Sequence, residues 1–401
     1  MRVPREMTLM RGIHVGTVVG IPIRLNWTFL IVLPLFAYLI GSEVGTIAGV
    51  MNETLGAGID PAAIGSGTIA WVLGLLAVIG LFVGVLLHEL GHSVVAMRYG
   101  YEIESITLWL LGGLANFAAF PDDWRHELTI AIAGPIVSVG VGGVCYVIFR
   151  LAPAGADALL FVSGYLALLN VVLAGFNMLP AFPMDGGRVL RALLARRQPR
   201  AQATQRAAAV GKVFAFLLGL FGLLSFQLLL IALAFFIYVA ASGEAQQTTL
   251  QAVFEDVTVS DVMTPGAELH TVTAETSVAE LMHRMFEQRH TGYPVMDGDD
   301  LVGMVTLEDA RDVREVERDA HHVGDVMATD IASVTTDTDA MTALQVMQKN
   351  GVGRLPVVDH TGQLVGLISR SDLMTAFNII QTGGRPRGGS SRRPDDGRRL
   401  V

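Results

Sequence analysis

HELGH at 88–92 holds the residues whose types and spacing could do chemistry. It lies in the apolar stretch GLFVGVLLHELGHSVVAM, which reads as a helix. Positions four apart share a helix face. His88 and His92 can therefore present two imidazoles to one Zn²⁺, with Glu89 beside them as general base. Two histidines and a glutamate inside a bilayer span are costly unless they are paired or metal-bound. A satisfied buried polar cluster is the plainer reading of the same residues.

A catalytic zinc takes three protein ligands and keeps one position open. Cys145 is the single cysteine, so the ligands must be His, Asp or Glu. The candidate lies in NMLPAFPMDGG at 177–187, where two prolines break a helix before Asp185 and two glycines. Irregular backbone at membrane depth is tolerated where it lines a polar cavity. Asp185 is the only acidic residue between Asp157 and Glu244. It reads either as the third ligand or as the cap of a helix that begins at Gly186.

The elements that must position these groups are membrane spans. Only 16% of the 401 residues are charged, against about 25% in a soluble protein. A span needs about 20 mostly apolar residues. Six are read, at 26–41, 67–97, 127–150, 158–179, 207–224 and 226–243, with 42–66 as a long loop. Residues 7–24 alternate like a strand. Residues 101–120 are apolar but broken by glycine, and read as a hairpin or re-entrant segment. Lys and Arg favour the cytoplasmic side. With the N-terminus inside, 13 of the 14 Lys and Arg in residues 1–250 fall on that side, and only Arg150 falls outside. Both ends, with the soluble part, are therefore expected in the cytoplasm. HELGH and Asp185 then share one depth, at the inner ends of their spans.

Residues 251–380 carry 22 Asp and Glu against 8 Lys and Arg. Nucleic acid is not expected as a partner, because phosphate binding wants a basic patch. An internal repeat runs through this part. VSDVMTP at 259–265 matches VGDVMAT at 323–329, and GYPVMDGDDLVGMVTLED at 292–309 matches GRLPVVDHTGQLVGLISRSD at 353–372. The tail from Gly383 is rich in Gly, Arg, Ser and Pro, and is expected to be disordered.

HELGH, AGP at 133–135, the paired glycines of LLGGLANF and NMLPAFPMDGG, in this order, resemble the site-2 protease family of intramembrane metalloproteases. The likeness covers roughly residues 10–245. It implies His88, His92 and Asp185 as zinc ligands and Glu89 as the catalytic carboxylate. Asn177 matches a family Asn thought to steady substrate or oxyanion. The substrates implied are transmembrane proteins in the lipid bilayer of the cell membrane. The 101–120 hairpin could pair with an unwound substrate as an added strand or simply pack at the membrane surface. The two repeats resemble CBS domains. In that family Thr306 and Ser369 would contact a phosphate, and Asp309 and Asp372 the ribose of an adenine nucleotide, AMP or ATP. Arg354 or Arg370 could balance phosphate charge. Such motifs are also ordinary helix N-caps. CBS pairs often dimerise, so a homodimer is a further expectation.

The fold expected is thus a polytopic α-helical membrane protein with a membrane-associated β hairpin, plus a soluble α/β tandem CBS pair. Its limits are 1–245 for the membrane metalloprotease domain, 246–257 for a linker, 258–318 and 319–380 for the repeats, and 381–401 for the tail. Two other functions compete. A CBS-regulated metal or ion transporter explains spans and ligands, but not the Glu within HELGH. Transporters also tend to pair interrupted helices across repeats. An inactive scaffold would require an empty site.

Overall fold

A computed structural model describes residues 12–109, 112–117 and 123–383 of the chain. The chain divides into two units, Met1–Thr248 and Thr249–Val401. The tail expected at 381–401 lies outside the described residues from 384 onward.

The first unit opens on β1 (Ile13–Val18) and β2 (Ile21–Leu25). Helix α1 (Trp27–Leu55) follows, then α2 (Gly67–Arg98), the strands β3 (Ile103–Trp109) and β4 (Gly112–Phe117), and α3 (Trp124–Leu151). Next come α4 (Asp157–Asn177), the short α5 (Asp185–Ala195), α6 (Arg200–Leu224) and α7 (Leu228–Val253). All but α5 are long and apolar enough to cross a membrane, six such helices among the described residues. Their faces are mostly apolar and many large side chains lie exposed, as Phe216, Phe221 and Phe235 do. This is the surface a bilayer covers.

One expectation changes. The first span does not stop at 41, and the loop read at 42–66 is helical to Leu55. Glu43, Asn52 and Glu53 dilute the hydropathy there, yet Val44, Ala48 and Met51 recur at helical spacing and pack with Ile59, Ile64 and Phe161. Gly56, in the left-handed region at φ 62°, ends the helix, and the Asn52 amide fastens the Ile59 backbone at 2.8 and 2.9 Å. Residues 246–257, expected as a linker, are helical over their first part. Helix α7 runs to Val253, and Phe254 and Val257 are buried in a core of the second unit.

The described parts of the segments read at 7–24 and 101–120 join into one sheet of order β1-β2-β3-β4, and residues 7–11, 110–111 and 118–120 of those readings lie outside the described residues. β2 runs parallel to β3, pairing Ile23 with Ile106. β4 lies antiparallel to β3 and is an edge strand among the described residues. Buried Ile21, Ile23 and Ile106 pack with Leu90, which follows Glu89 on α2. The sheet is thus seated against the HELGH turn.

The second unit holds two sheets, β6 (Val272–Thr273), β7 (Gly292–Asp297) and β8 (Asp300–Thr306) in one, and β5 (Thr264–Pro265), β11 (Leu364–Ser369), β10 (Arg354–Val358) and β9 (Val334–Thr335) in the other. β5 comes from the first repeat but pairs with β11 of the second. Val323, which opens the second repeat, lies in the core around Tyr293 and Val305 of the first. The leading segment of each repeat therefore completes the other repeat's core.

Candidate metal centre

His88 and His92 lie one turn apart on α2, buried where it meets α3. α3 holds the outer nitrogen of each ring. His92 Nδ1 donates to the Ile130 carbonyl at 2.7 Å, and His88 Nδ1 pairs with Ser138 Oγ at 2.9 Å. Between them stands Gly134, where an added methyl would strike Nε2 of both rings. Only glycine lets α3 lie against the imidazoles. Pro135 has no N–H for the helix ladder, which frees carbonyl capacity in the preceding turn.

Asp185 is the first residue of α5, and no side chain caps this helix. Its Oδ2 lies 3.1 Å from His88 Nε2 and 3.2 Å from His92 Nε2. The two Nε2 atoms are 3.2 Å apart. The two glycines after Asp185 permit this approach. A methyl on Gly186 would strike the Met178 and Leu179 carbonyls, and one on Gly187 would come within 2.7 Å of the Ala181 and Phe182 backbone.

These three atoms suit a cation. The Ile130 carbonyl holds a proton on His92 Nδ1, and with Ser138 Oγ accepting from His88 Nδ1, two nitrogen lone pairs and a carboxylate oxygen face one another without a hydrogen between them. Such a buried arrangement is unfavourable unless positive charge lies at its centre. Ligands held tetrahedrally at about 2.0–2.1 Å from zinc lie about 3.3 Å apart, close to the separations here. Among the described residues His88, His92 and Asp185 form the one cluster of this kind.

A cavity of about 310 Å³ opens onto the three residues and is also lined by Glu89, Trp109, Gly112, Gly113, Asn177 and Arg188. A methyl on Gly113 would strike the Glu89 side chain, so the β4 backbone passes beside that carboxylate. Asn177 ends α4 and donates one amide hydrogen to the Leu173 carbonyl at 3.0 Å, which leaves the second one. Sequence reasoning missed Ser138, Ile130 and Arg188. Ser138 had a signal, a hydroxyl in the apolar run AGPIVSVG. Ile130 acts through its backbone and had none.

In the second unit, Thr306 Oγ1 donates to Asp309 Oδ2 at 2.6 Å and Ser369 Oγ to Asp372 Oδ2 at 2.7 Å. Both pairs are capping boxes, at α9 (Leu307–Arg311) and α11 (Arg370–Gln381), which follow α8 (Val278–Gln288) and α10 (Ala340–Lys349) in chain order. Arg354 is committed within the protein, donating to the Gly292 carbonyl at 2.6 Å and to Thr291 Oγ1 at 2.7 Å. Burial lowers its pKa, and the charge of Asp372 opposes that shift.

Fold and site together define a multi-pass membrane protein with a buried centre of two histidines and one carboxylate, joined to a soluble repeat pair. The family pattern described as Peptidase family M50 matches residues 76–155 and 150–220. The CBS domain pattern matches residues 259–315 and 323–379. A zinc metalloprotease of Methanocaldococcus jannaschii is 34% identical over 92% of this chain and 97% of its own length. Rip3 of Mycobacterium tuberculosis, also named as a zinc metalloprotease, is 32% identical over 92% of this chain and 94% of its own. The solved site-2 protease of M. jannaschii shares 38% identity over 58% of this chain and 95% of that one, with a TM-score of 0.40. The chain belongs to the site-2 protease family of membrane zinc metalloproteases and carries a tandem CBS pair.

Proposed function

We propose that the chain is an intramembrane endopeptidase that cuts transmembrane segments of other proteins, using one Zn²⁺ held by His88, His92 and Asp185. The observation that carries this reading is the convergence of three buried acceptor atoms within 3.1–3.2 Å of one another. Bound there, zinc would supply Lewis acidity, lowering the pKa of water towards about 7 and polarising a carbonyl. Glu89, beside the centre and lining the same cavity, takes the proton from the attacking water and returns it to the leaving amine. The spare amide hydrogen of Asn177 steadies the developing oxyanion. A helical substrate shields its carbonyls, so it must unwind first. The outer edge of β4, which no described strand pairs and whose Gly113 lies against Glu89, suits pairing with an unwound segment.

The charge bias of the loops supports both termini and the CBS pair in the cytoplasm. There Thr306, Asp309, Ser369 and Asp372 would receive the phosphate and ribose of AMP or ATP, and binding would modulate cleavage. Any such effect requires different nucleotide affinity in the two states. A homodimer through the CBS pair belongs to the same reading. Metal or ion transport is the weaker alternative, because it gives Glu89 no task beside the centre.

Purified wild type and Glu89→Gln, each assayed for zinc and for cleavage of a model transmembrane segment, test the proposal. Zinc in both with cleavage only in wild type supports it. Zinc in both with cleavage in neither favours transport, and zinc in neither favours an inactive scaffold.

A further inference from the structure

Arg191 sits on α5, two turns after Asp185, and is 2% exposed. Its Nε donates to Glu127 Oε1 of α3 at 2.6 Å, and its Nη1 pairs with Glu244 of α7. Its guanidinium also lies over the Phe182 ring, 5.1 Å from the centroid, in the loop that leads to Asp185. A buried charge persists only with good partners, and removing one leaves the other uncompensated. Arg188, on the same helix, lines the cavity instead.

The three elements that this guanidinium joins all border the metal centre or its cavity, beside α2, which carries both histidines. α5 carries Asp185. α3 carries Ile130, Gly134 and Ser138, which set the imidazoles. α7 brings Leu233, Phe236 and Ile237 to the cavity wall. We infer that Arg191 is a positioning residue for Asp185, and that Glu244 makes this position depend on the sixth span. That span continues past Thr248 to Val253. The inference rests on Asp185 being a zinc ligand.

Glu244 is the place to test it, because its side chain is 35% exposed and its loss leaves Arg191 paired with Glu127. The full-length chain and its Glu244→Gln and Glu244→Asp variants are loaded with zinc. Metal loss to excess chelator is timed, melting is recorded, and the visible spectrum of the Co²⁺-substituted protein is taken. Glu244→Gln is expected to lose zinc about tenfold faster, the low end of the roughly 10–100-fold effect of disturbing what orients a metal ligand. Its cobalt bands shift while melting stays near wild type, and Glu244→Asp stays close to wild type in both. A wild-type rate of zinc loss in Glu244→Gln overturns the inference. So does faster loss that follows a lowered melting temperature with unchanged cobalt bands, which is a structural effect alone. A wild type that takes up neither metal overturns zinc ligation itself, and is told apart because no release rate then exists.

Discussion

His92 donates from Nδ1 to the backbone carbonyl of Ile130 at 2.7 Å, and this bond fixes which of its nitrogens faces Asp185. A carbonyl only accepts, so the proton must sit on Nδ1 and the lone pair on Nε2. The tautomer needed for metal binding is therefore set by the neighbouring helix.

The contact depends on Gly134. Gly134→Ala places a methyl against both Nε2 atoms. Overpacking of this kind costs about 1–3 kcal/mol. We expect a folded, less stable protein whose zinc content drops to a small fraction of wild type, checked by elemental analysis of the purified variant alongside its melting curve.

Ser138→Ala removes the partner of His88 Nδ1. Loss of an outer partner of a ligating histidine lowers metal affinity about 10–100-fold. Competition with a chelator of known affinity measures this. Unchanged affinity would mean that Ser138 does not orient the ring.

Gly113→Ala should separate the carboxylate from the metal. The added methyl meets the Glu89 side chain, and the three clustered side chains are elsewhere. Zinc content is expected to stay at the wild-type level. Cleavage of a model transmembrane segment should fall by about 10²-fold or more, the scale of losing a positioned general base.

How far the sequence reached differs from residue to residue. His88, Glu89, His92 and Asp185 could be picked out because ionisable groups in apolar runs have few explanations. Whether Asp185 is a cap or a member of the cluster could not be read, since both roles want an acid before two glycines. The close passage that Gly134 permits was invisible, because a glycine does not name the neighbour it admits. The first span was cut short because hydropathy weighs Glu43 and Glu53 but not the packing of Val44, Ala48 and Met51. The pairing of β2 with β3 and the ion pairs of Arg191 join residues far apart in sequence, with no local pattern to announce them.

The CBS pair offers an internal control for nucleotide binding. Asp261 forms a capping box with Thr258 much as Asp309 does with Thr306. Replacing any of these acids by Ala costs a cap worth about 1 kcal/mol. Asp309→Ala and Asp372→Ala are expected to weaken AMP binding about tenfold or more by calorimetry, because an acceptor for the ribose hydroxyls is lost. Asp261→Ala should bind AMP as wild type does. Equal loss in all three would show a folding effect and not a ligand contact.

X-ray absorption at the zinc edge of the purified full-length chain addresses the metal centre most directly. One zinc per chain is expected, with nitrogen and oxygen neighbours at about 2.0–2.2 Å and no sulfur, and the imidazole signal should vanish in His88→Ala with His92→Ala. A chain without zinc, or zinc bound to sulfur in a protein whose one thiol is Cys145, would contradict a centre built from His88, His92 and Asp185.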